Sequence, residues 1–248
     1  MRLKVLGSSS SGNSYILEAS NEVLIIEAGV KLREIKRTQG FRIDNIAGCL
    51  VSHQHNDHAG YIREYIDNGI NVLSSESVAS SKGITGHDNR FKLVYPQHGY
   101  KLKSFKIIPF DVVHDVPCLG FVITHKESGT ILFLTDTFWC DYTFPRLNQI
   151  MIECNFADDI VENNIINGRL PGIMRQRLLL SHFELEKCKQ YLRSLDLSAV
   201  TNIVLLHLSD GNSDEARFVR EIAEEFGINT AAASKKNVTN IEFNLNPY

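Results

Sequence analysis

Six consecutive residues, His53-Gln54-His55-Asn56-Asp57-His58, place three imidazoles and one carboxylate within one short segment. These two groups together suit zinc, manganese or iron, each of which needs several donors converging on one point. Alternate side chains of an extended segment point to the same side, so we expect His53 and His55 to share one ion. Asp57 and His58, past the bend, can then face a second ion. The alternative is a histidine-rich surface loop that binds nothing, but the density of the string favours a metal site.

Three more ligand-type residues, His114, Asp136 and His207, each follow directly on an apolar run typical of a strand. Layered α/β folds collect their ligands at strand ends. A single histidine in such a position would more often have a structural role than bind a metal. Together with the histidine string, the three predict a site large enough for two ions.

The composition is that of an ordinary globular protein: 248 residues, 43% hydrophobic and 22% charged. The formal net charge of −3 argues against a broadly basic nucleic-acid binder but leaves room for a local basic groove. The five cysteines form no C-x-x-C pair, which argues against a disulfide framework and a cysteine zinc knuckle. With no signal peptide and no membrane span apparent, we expect a cytoplasmic protein without a membrane partner.

The pattern of apolar residues predicts strands and helices that recur in two blocks, each with strands first and helices after. Strands are predicted at 2–6, 14–18, 22–27, 47–51, 91–95, 103–113, 120–124, 130–134, 149–153, 202–206 and 239–245, and helices at 30–39, 59–67, about 181–195 and 213–226. This order predicts a single α/β domain over residues 1–248, with two mixed sheets packed together and helices outside.

The predicted helix 30–39 is rich in cations. Its charged residues are Lys31, Arg33, Glu34, Lys36 and Arg37. Such a run is a solvated face or a nucleic-acid contact, and the sequence leaves both alternatives open.

The order His-x-His-x-Asp-His, then His, then Asp, then His resembles the metallo-β-lactamase superfamily over nearly the whole chain. The resemblance implies a four-layer αβ/βα sandwich with a dinuclear metal site at the edge between the sheets. Carried over by position, the first ion would be held by His53, His55 and His114, the second by Asp57, His58 and His207, and Asp136 would bridge them.

Further motifs resemble the WalJ/YycJ-type DNA exonuclease branch of that superfamily. They are the segments 7–14, 151–155 and 207–212, and Arg175-Gln176-Arg177 followed by Ser181-His182. Glu27 stands where the family usually has an aspartate that buttresses the site, so its extra methylene changes the geometry behind the ligands. A true β-lactamase normally has a cysteine at the second metal, where this chain matches Asp57 and His207, which argues against lactam hydrolysis.

The resemblance implies a metal-dependent phosphodiester hydrolase, most of all a DNA exonuclease. Two divalent ions (zinc or manganese, with iron also allowed) would bridge a hydroxide that attacks the phosphorus, with Asp57 and Asp136 as catalytic ligands. His182 is the candidate phosphate ligand or proton donor to the leaving group. Its alternative is an ordinary residue in the first turn of a helix, because Ser181 and Glu184 have capping-box spacing.

Three residues are candidates for substrate binding. Arg175 and Arg177 could hold backbone phosphates or be solvated surface residues. Asn212 could touch substrate or cap the helix predicted from residue 213, and the cap is favoured.

Two other functions remain open at this point: a phosphodiesterase of small molecules such as cyclic nucleotides, and a binding protein that keeps the metal fold without hydrolase activity. The expected partner is accordingly nucleic acid, with DNA favoured, or a nucleotide. The sequence does not decide the native metal, DNA against RNA, cleavage polarity or whether the chain forms a homo-oligomer.

Overall fold

The computed structural model describes residues 1–233 and 239–245. Within them the chain forms fourteen strands and eight helices. The strands are β1 (Arg2–Gly7), β2 (Ser14–Glu18), β3 (Val23–Ile26), β4 (Ile46–Leu50), β5 (Val72–Ser74), β6 (Phe91–Leu93), β7 (Tyr100–Leu102), β8 (Phe105–Val112), β9 (Cys118–His125), β10 (Gly129–Leu134), β11 (Gln149–Glu153), β12 (Asn202–Leu206), β13 (Asn229–Ala232) and β14 (Thr239–Glu242). The helices are α1 (Leu32–Thr38), α2 (Asn56–Ala59), α3 (Ile62–Asp67), α4 (Glu76–Ser81), α5 (Asp158–Ile166), α6 (Ile173–Ser181), α7 (Leu185–Arg193) and α8 (Glu215–Phe226).

The strands form two seven-stranded mixed sheets. The first has the order β14-β1-β2-β3-β4-β5-β6 and the second β13-β12-β11-β10-β9-β8-β7. In the first sheet β14, β1, β2 and β3 pair antiparallel and β3 to β6 parallel. In the second, β7 to β10 pair antiparallel and β10 to β13 parallel.

The sheets pack face to face around a core that both of them line. Within it, Tyr15 of the first sheet meets Phe133 of the second edge to face, with ring centroids 5.6 Å apart. Helices α1 and α3 bury apolar side chains on the outer face of the first sheet, and α7 and α8 do the same on the second. The four-layer αβ/βα sandwich expected from the sequence is confirmed.

One edge of the sandwich collects the carboxyl ends of the strands that carry the candidate ligands. Strands β3 and β4 run parallel in the first sheet, as do β10, β11 and β12 in the second. Strand β8 is antiparallel to β9, which is antiparallel to β10, so β8 ends at the same edge. Residues that follow these strands therefore meet between the two sheets.

The predicted helices differ from the observed ones in detail. The helix predicted at 59–67 is shorter in the structure, as α3 (Ile62–Asp67), and Ala59 instead ends α2. The two helices are separate because the Tyr61 amide donates to the Ala28 carbonyl (2.9 Å). Ser181 ends α6 rather than capping α7, and the Glu184 carboxylate caps α7 by accepting from the amides of Glu186 (2.7 Å) and Lys187 (3.1 Å). Helices α4, α5 and α6 were not predicted, and the final strand ends at Glu242 rather than at residue 245.

In the part of the chain that the structure describes, no helix is long and apolar enough to cross a membrane.

Gly29 joins the glycine–serine loop (residues 7–13) to the segment that carries the histidines. Its amide donates to the Asn13 carbonyl at 3.1 Å, and the Asn13 amide donates to the Asp57 carbonyl at 2.7 Å. A Cβ at Gly29 would lie 1.7 Å from the Asp57 carbonyl oxygen, so no side chain fits without moving backbone.

We expect Gly29→Ala to lower the free energy of unfolding by about 3 kcal/mol, since it forces two hydrogen-bonded backbones apart. Urea unfolding of the metal-free protein measures the change. Gly86→Ala is the matched control, because a Cβ there meets no atom within 4 Å. Equal stabilities of the two variants would contradict the prediction.

Candidate metal centre

Three residues at the shared edge have an unusual backbone. The angle φ is 70° at Glu27, 45° at Asp136 and 52° at His207, just past the ends of β3, β10 and β12. Residues other than glycine adopt this left-handed conformation at a cost of about 1 kcal/mol or more, and they keep it where the surrounding structure fixes it. Here each of these side chains contacts the same histidine cluster.

The first group of potential ligands is His53, His55 and His114. One ring nitrogen of each lies within 4.8 Å of those of the other two, and His53 Nε2 is 3.1 Å from His55 Nδ1. The other nitrogen of His53, Nδ1, lies 2.9 Å from Ser52 Oγ and 3.7 Å from Cys118 Sγ. The His53 ring is thus held from behind, with Nε2 turned toward the group.

The second group is Asp57, His58 and His207, whose ligand atoms also lie within 4.8 Å of one another. Asp57 Oδ2 is 3.3 Å from His58 Nε2 and 3.8 Å from His207 Nε2. Asn13 of the glycine–serine loop approaches the same atoms, with its Nδ2 2.9 Å from His58 Nε2 and 3.3 Å from Asp57 Oδ2.

The Asp136 carboxylate joins the two groups. Its Oδ2 lies 2.6 Å from His58 Nε2 and 3.5 Å from His53 Nε2, while Oδ1 lies 2.5 Å from His207 Nδ1. Its side chain is almost fully buried. The structure therefore brings all seven sequence-predicted ligands together, with Asp136 touching both groups.

Glu27 supports this cluster from behind. Its Oε2 accepts a hydrogen bond from the Ser52 amide at 3.2 Å, and its Oε1 is 3.5 Å from His58 Nδ1, on the side of the ring away from Asp136. Glu27 and His58 are fully buried. The glutamate thus reaches His58 as a buttressing residue would, despite the extra methylene.

Glu153 was missed as a site residue by the sequence analysis. It is fully buried at the end of β11 and lies 3.3 Å from His207 Nδ1. Its Oε2 accepts hydrogen bonds from the amides of Thr137 (3.1 Å) and Phe183 (3.3 Å). The signal was present, because Glu153 ends an apolar strand just as the predicted ligands follow theirs.

The structure places His182 at the cluster, in an extended conformation just after α6 (φ −137°, ψ 153°). The alternative of a first-turn helix residue is therefore wrong. His182 Nδ1 is 2.6 Å from Glu153 Oε1, and its ring centroid lies 5.5 Å from that of His207.

The three substrate-binding candidates have different surroundings. Arg175 bonds Asp158 through Nε (2.8 Å) and Nη2 (2.5 Å), which favours a structural role. Arg177 is exposed. The expected capping role of Asn212 is wrong, because Asp214 caps α8. Asn212 instead contacts Ser209 Oγ (3.3 Å) and Asn164 Nδ2 (3.0 Å).

One cavity borders the cluster, and a second reaches a residue that contacts it. One of about 370 Å³ is lined by His182 and His207 together with Met174, Leu178 and Ser209. Another, of about 500 Å³, reaches Cys118, whose thiol lies against His53. A substrate much larger than phosphate therefore has space beside the cluster.

The donor set fits divalent metal ions. It combines imidazole nitrogens with carboxylate oxygens, as zinc, manganese and iron sites do. His114 Nε2 is buried and has no hydrogen bond within the described chain, although Asp115 Oδ1 is 3.0 Å away. Such an unpaired nitrogen costs about 1–3 kcal/mol, and a bound cation would supply its partner.

Known proteins resemble the chain in sequence and in structure. A family model described as Anti-Pycsar protein Apyc1 matches residues 2–70. Exodeoxyribonuclease WalJ of Streptococcus pneumoniae serotype 2 (strain D39) is 28% identical over 262 residues, which cover 96% of this chain and 90% of WalJ. Exodeoxyribonuclease YycJ of Bacillus anthracis is 25% identical over 248 residues, which cover 94% of this chain and 93% of YycJ. The metallo-β-lactamase fold protein YhfI from Bacillus subtilis superposes with a TM-score of 0.72 at 16% identity, over 97% of this chain and 99% of YhfI.

The chain is a metallo-β-lactamase-fold hydrolase. The two exodeoxyribonucleases are its homologues over nearly their whole length. The resemblance predicted from the order of the histidines and aspartates is confirmed, together with the hydrolase class. Its fold and its cluster of histidines and carboxylates indicate divalent metal binding.

The ligands of this hydrolase fall into two protonation states. Burial lowers the pKa of His53 and of His114, which favours neutral rings. Burial would also lower the pKa of His207, but the Asp136 and Glu153 carboxylates outweigh it and raise that pKa to about 10. His58 behaves in the same way, and its pKa is raised well above the ordinary value by Asp136 and its neighbours. In the metal-free centre these shifts favour the protonated forms of His58 and His207.

We expect divalent metal binding at pH 7 to release about two protons, because His58 and His207 must deprotonate to become ligands. Affinity should rise with pH up to about 10, the pKa of His207, since protons compete with the metal. Titration calorimetry of zinc into metal-free protein, in buffers of different ionisation enthalpy, counts the protons. Zinc binding without any proton release would contradict the assignment of protons to His58 and His207.

Proposed function

We propose that the protein is a DNA exonuclease that hydrolyses phosphodiester bonds with two divalent metal ions. The observation that carries the proposal is the pair of three-residue ligand groups joined by Asp136. It is supported by the homologues, both exodeoxyribonucleases that match over at least 90% of their own length.

In this proposal His53, His55 and His114 hold one ion, Asp57, His58 and His207 hold the other, and Asp136 contacts both. When bound, the ions would acidify a water and stabilise negative charge on the attacked phosphate. Zinc and manganese are the metals that we expect to support activity, and iron also suits the donors.

His182 is the proposed proton donor to the leaving oxygen. Glu153 engages its Nδ1 at 2.6 Å, so Nε2 is the ring nitrogen that can reach a substrate. Burial would lower the pKa of His182, but Glu153 and Asp136 outweigh it and raise that pKa above its ordinary value, which favours the protonated ring. A protonated imidazole suits a general acid, and His182 lines the cavity of about 370 Å³ beside His207, which we call the catalytic cavity.

Glu153 is the residue that positions His182. Its second oxygen is fixed by the two amides of Thr137 and Phe183, so the carboxylate cannot rotate away from the imidazole. Exposed Arg177, on the helix that ends at His182, is our candidate for a contact with substrate phosphate.

End-labelled and covalently closed DNA test the proposal. Protein loaded with manganese or zinc should release nucleotides from the ends of linear single- or double-stranded DNA and leave closed circles intact. An Asp57→Ala/His58→Ala variant is the control for contaminating nucleases. DNA turnover no faster than that of the variant would overturn the nuclease, and turnover of cyclic mononucleotides alone would select the small-molecule phosphodiesterase.

A further inference from the structure

A second cleft, of about 310 Å³, lies between the glycine–serine loop and the start of the basic helix α1. Its lining includes Ser9, Ser11, Gly12, Lys31, Arg33 and Tyr61. None of these residues belongs to the metal centre.

The cleft and the catalytic cavity share one wall. Ser9 and Ser11 line the cleft, whereas Ser10, between them in sequence, lines the cavity beside His182 and His207. Because successive Cα atoms are about 3.8 Å apart, the two spaces are separated by roughly the width of one residue. A chain molecule bound at the metal centre can therefore continue across the loop into the cleft.

The loop is also fastened to the metal ligands on either side. Ser8 Oγ accepts a hydrogen bond from the His207 amide at 2.8 Å, and Asn13 Nδ2 contacts His58 and Asp57. The position of the cleft relative to the metal centre is thus set by short contacts at both ends of a seven-residue loop.

The walls of the cleft are cationic. Lys31 Nζ stands 5.9 Å from the centre of the Tyr61 ring, and no carboxylate of the described residues lies within 4.0 Å of it. Arg33 is exposed and bonds Glu34 through Nε at 3.0 Å. Glu34 also lines the cleft, but Arg33 and Arg37 (3.6 Å) flank its carboxylate, so positive charge prevails.

We propose that this cleft binds the phosphodiester backbone of a polynucleotide, one or two nucleotides from the bond that is cleaved, with Lys31 and Arg33 as the phosphate ligands. The inference rests on the proposed function and deepens it: a single cyclic nucleotide at the metal centre would not reach the cleft, whereas a polymer crosses the loop. Backbone phosphates are the expected ligands because cationic side chains hold them without reading sequence.

A pair of charge-reversal variants tests the site. Lys31→Glu/Arg33→Glu alters the cleft. Lys101→Glu/Arg220→Glu makes the same change of net charge outside it, since both residues are exposed and neither lines the cleft. Three readouts are needed: turnover of the small diester bis(p-nitrophenyl) phosphate, KM and kcat on a 20-nucleotide DNA, and binding of the same labelled DNA to metal-free protein.

The cleft variant should hydrolyse the small diester as the parent protein does, with KM for DNA raised about tenfold or more and kcat within about twofold. The slope of log Kd against log salt concentration should decrease by about 1 to 2 in the cleft variant, because two phosphate contacts are lost. The control variant should match the parent protein in every readout.

Equal KM and equal DNA affinity in the two variants would overturn the cleft as a binding site while leaving the nuclease intact. Failure of the parent protein to cleave DNA would instead overturn the proposed function, and weakened DNA binding confined to the cleft variant would then still support the site.

Discussion

Asp136→Asn is expected to lower kcat/KM on any phosphodiester by about a thousandfold or more. The Asp136 carboxylate lies 2.6 Å from His58 Nε2, 2.5 Å from His207 Nδ1 and 3.5 Å from His53 Nε2, so it touches a residue of each ligand group. Asparagine keeps the shape of the side chain but removes its negative charge. Its amide nitrogen would also place a hydrogen-bond donor where the metal ions are proposed to bind. Metal content by elemental analysis should fall together with turnover of bis(p-nitrophenyl) phosphate.

The matched control for this variant is Asp115→Asn. Asp115 Oδ1 is 3.0 Å from His114 Nε2 and 3.6 Å from His55 Nε2, but its side chain is 48% exposed. Water screens the charge of such an exposed carboxylate. We therefore expect the activity of Asp115→Asn to lie within about tenfold of that of the parent protein. Full metal content and similar activity in Asp136→Asn would show that Asp136 does not join the ions.

The ligand cluster could be predicted from the sequence because its signals are local. Layered α/β folds bind their ligands at the carboxyl ends of strands, and a strand of alternating or fully apolar residues is recognisable from its own residues. His114, Asp136 and His207 each combined both signals. The parallel arrangement of β10, β11 and β12 then brings strand ends together without any further information from the loops.

Helix α6 could not be predicted from the sequence. Of its nine residues only Ser181 is buried, and Ile173 and Leu180 are 80% and 57% exposed. Without an apolar stripe the helix has no periodic signature. Its end nevertheless sets where His182 lies, so the position of the proposed acid depended on an element that periodicity could not reveal.

Capping residues show a related limit. Ser181 and Glu184 fit a capping box, yet Glu184 itself caps α7. Asn212 stands before a helix, yet Asp214 caps α8 by accepting from the Arg217 amide at 3.0 Å. Several side chains near a helix start can cap it, and which one does so depends on the tertiary path of the preceding loop.

Glu153 was missed for a different reason. Its strand was predicted, but one carboxylate at a strand end does not by itself indicate whether it binds metal, positions an acid or pairs with a distant cation. Only the contacts with His182 (2.6 Å) and with the amides of Thr137 and Phe183 distinguish these roles.

The effect of His182→Ala is expected to depend on the leaving group. On DNA, whose leaving alcohol needs a proton, kcat should fall by about a hundredfold to a thousandfold. On bis(p-nitrophenyl) phosphate the leaving nitrophenolate is stable without a proton, so the loss should stay within about tenfold. Single-turnover rates on both substrates measure the difference, and equal losses on the two would contradict a role for His182 as proton donor.

The pH dependence of the activity of a Glu153→Gln variant tests whether Glu153 helps to hold the proton on His182. Because Glu153 raises the pKa of His182, the protonated acid persists to higher pH in the parent protein, and kcat on DNA falls as pH rises through that pKa. Removing the anion lowers the pKa of His182, so the activity of the variant should fall at a lower pH than that of the parent protein. The same profile on bis(p-nitrophenyl) phosphate should show no such displacement, because its leaving group needs no proton. A displacement on both substrates would assign the pH dependence to the metal ligand His207, which Glu153 also contacts at 3.3 Å, rather than to His182.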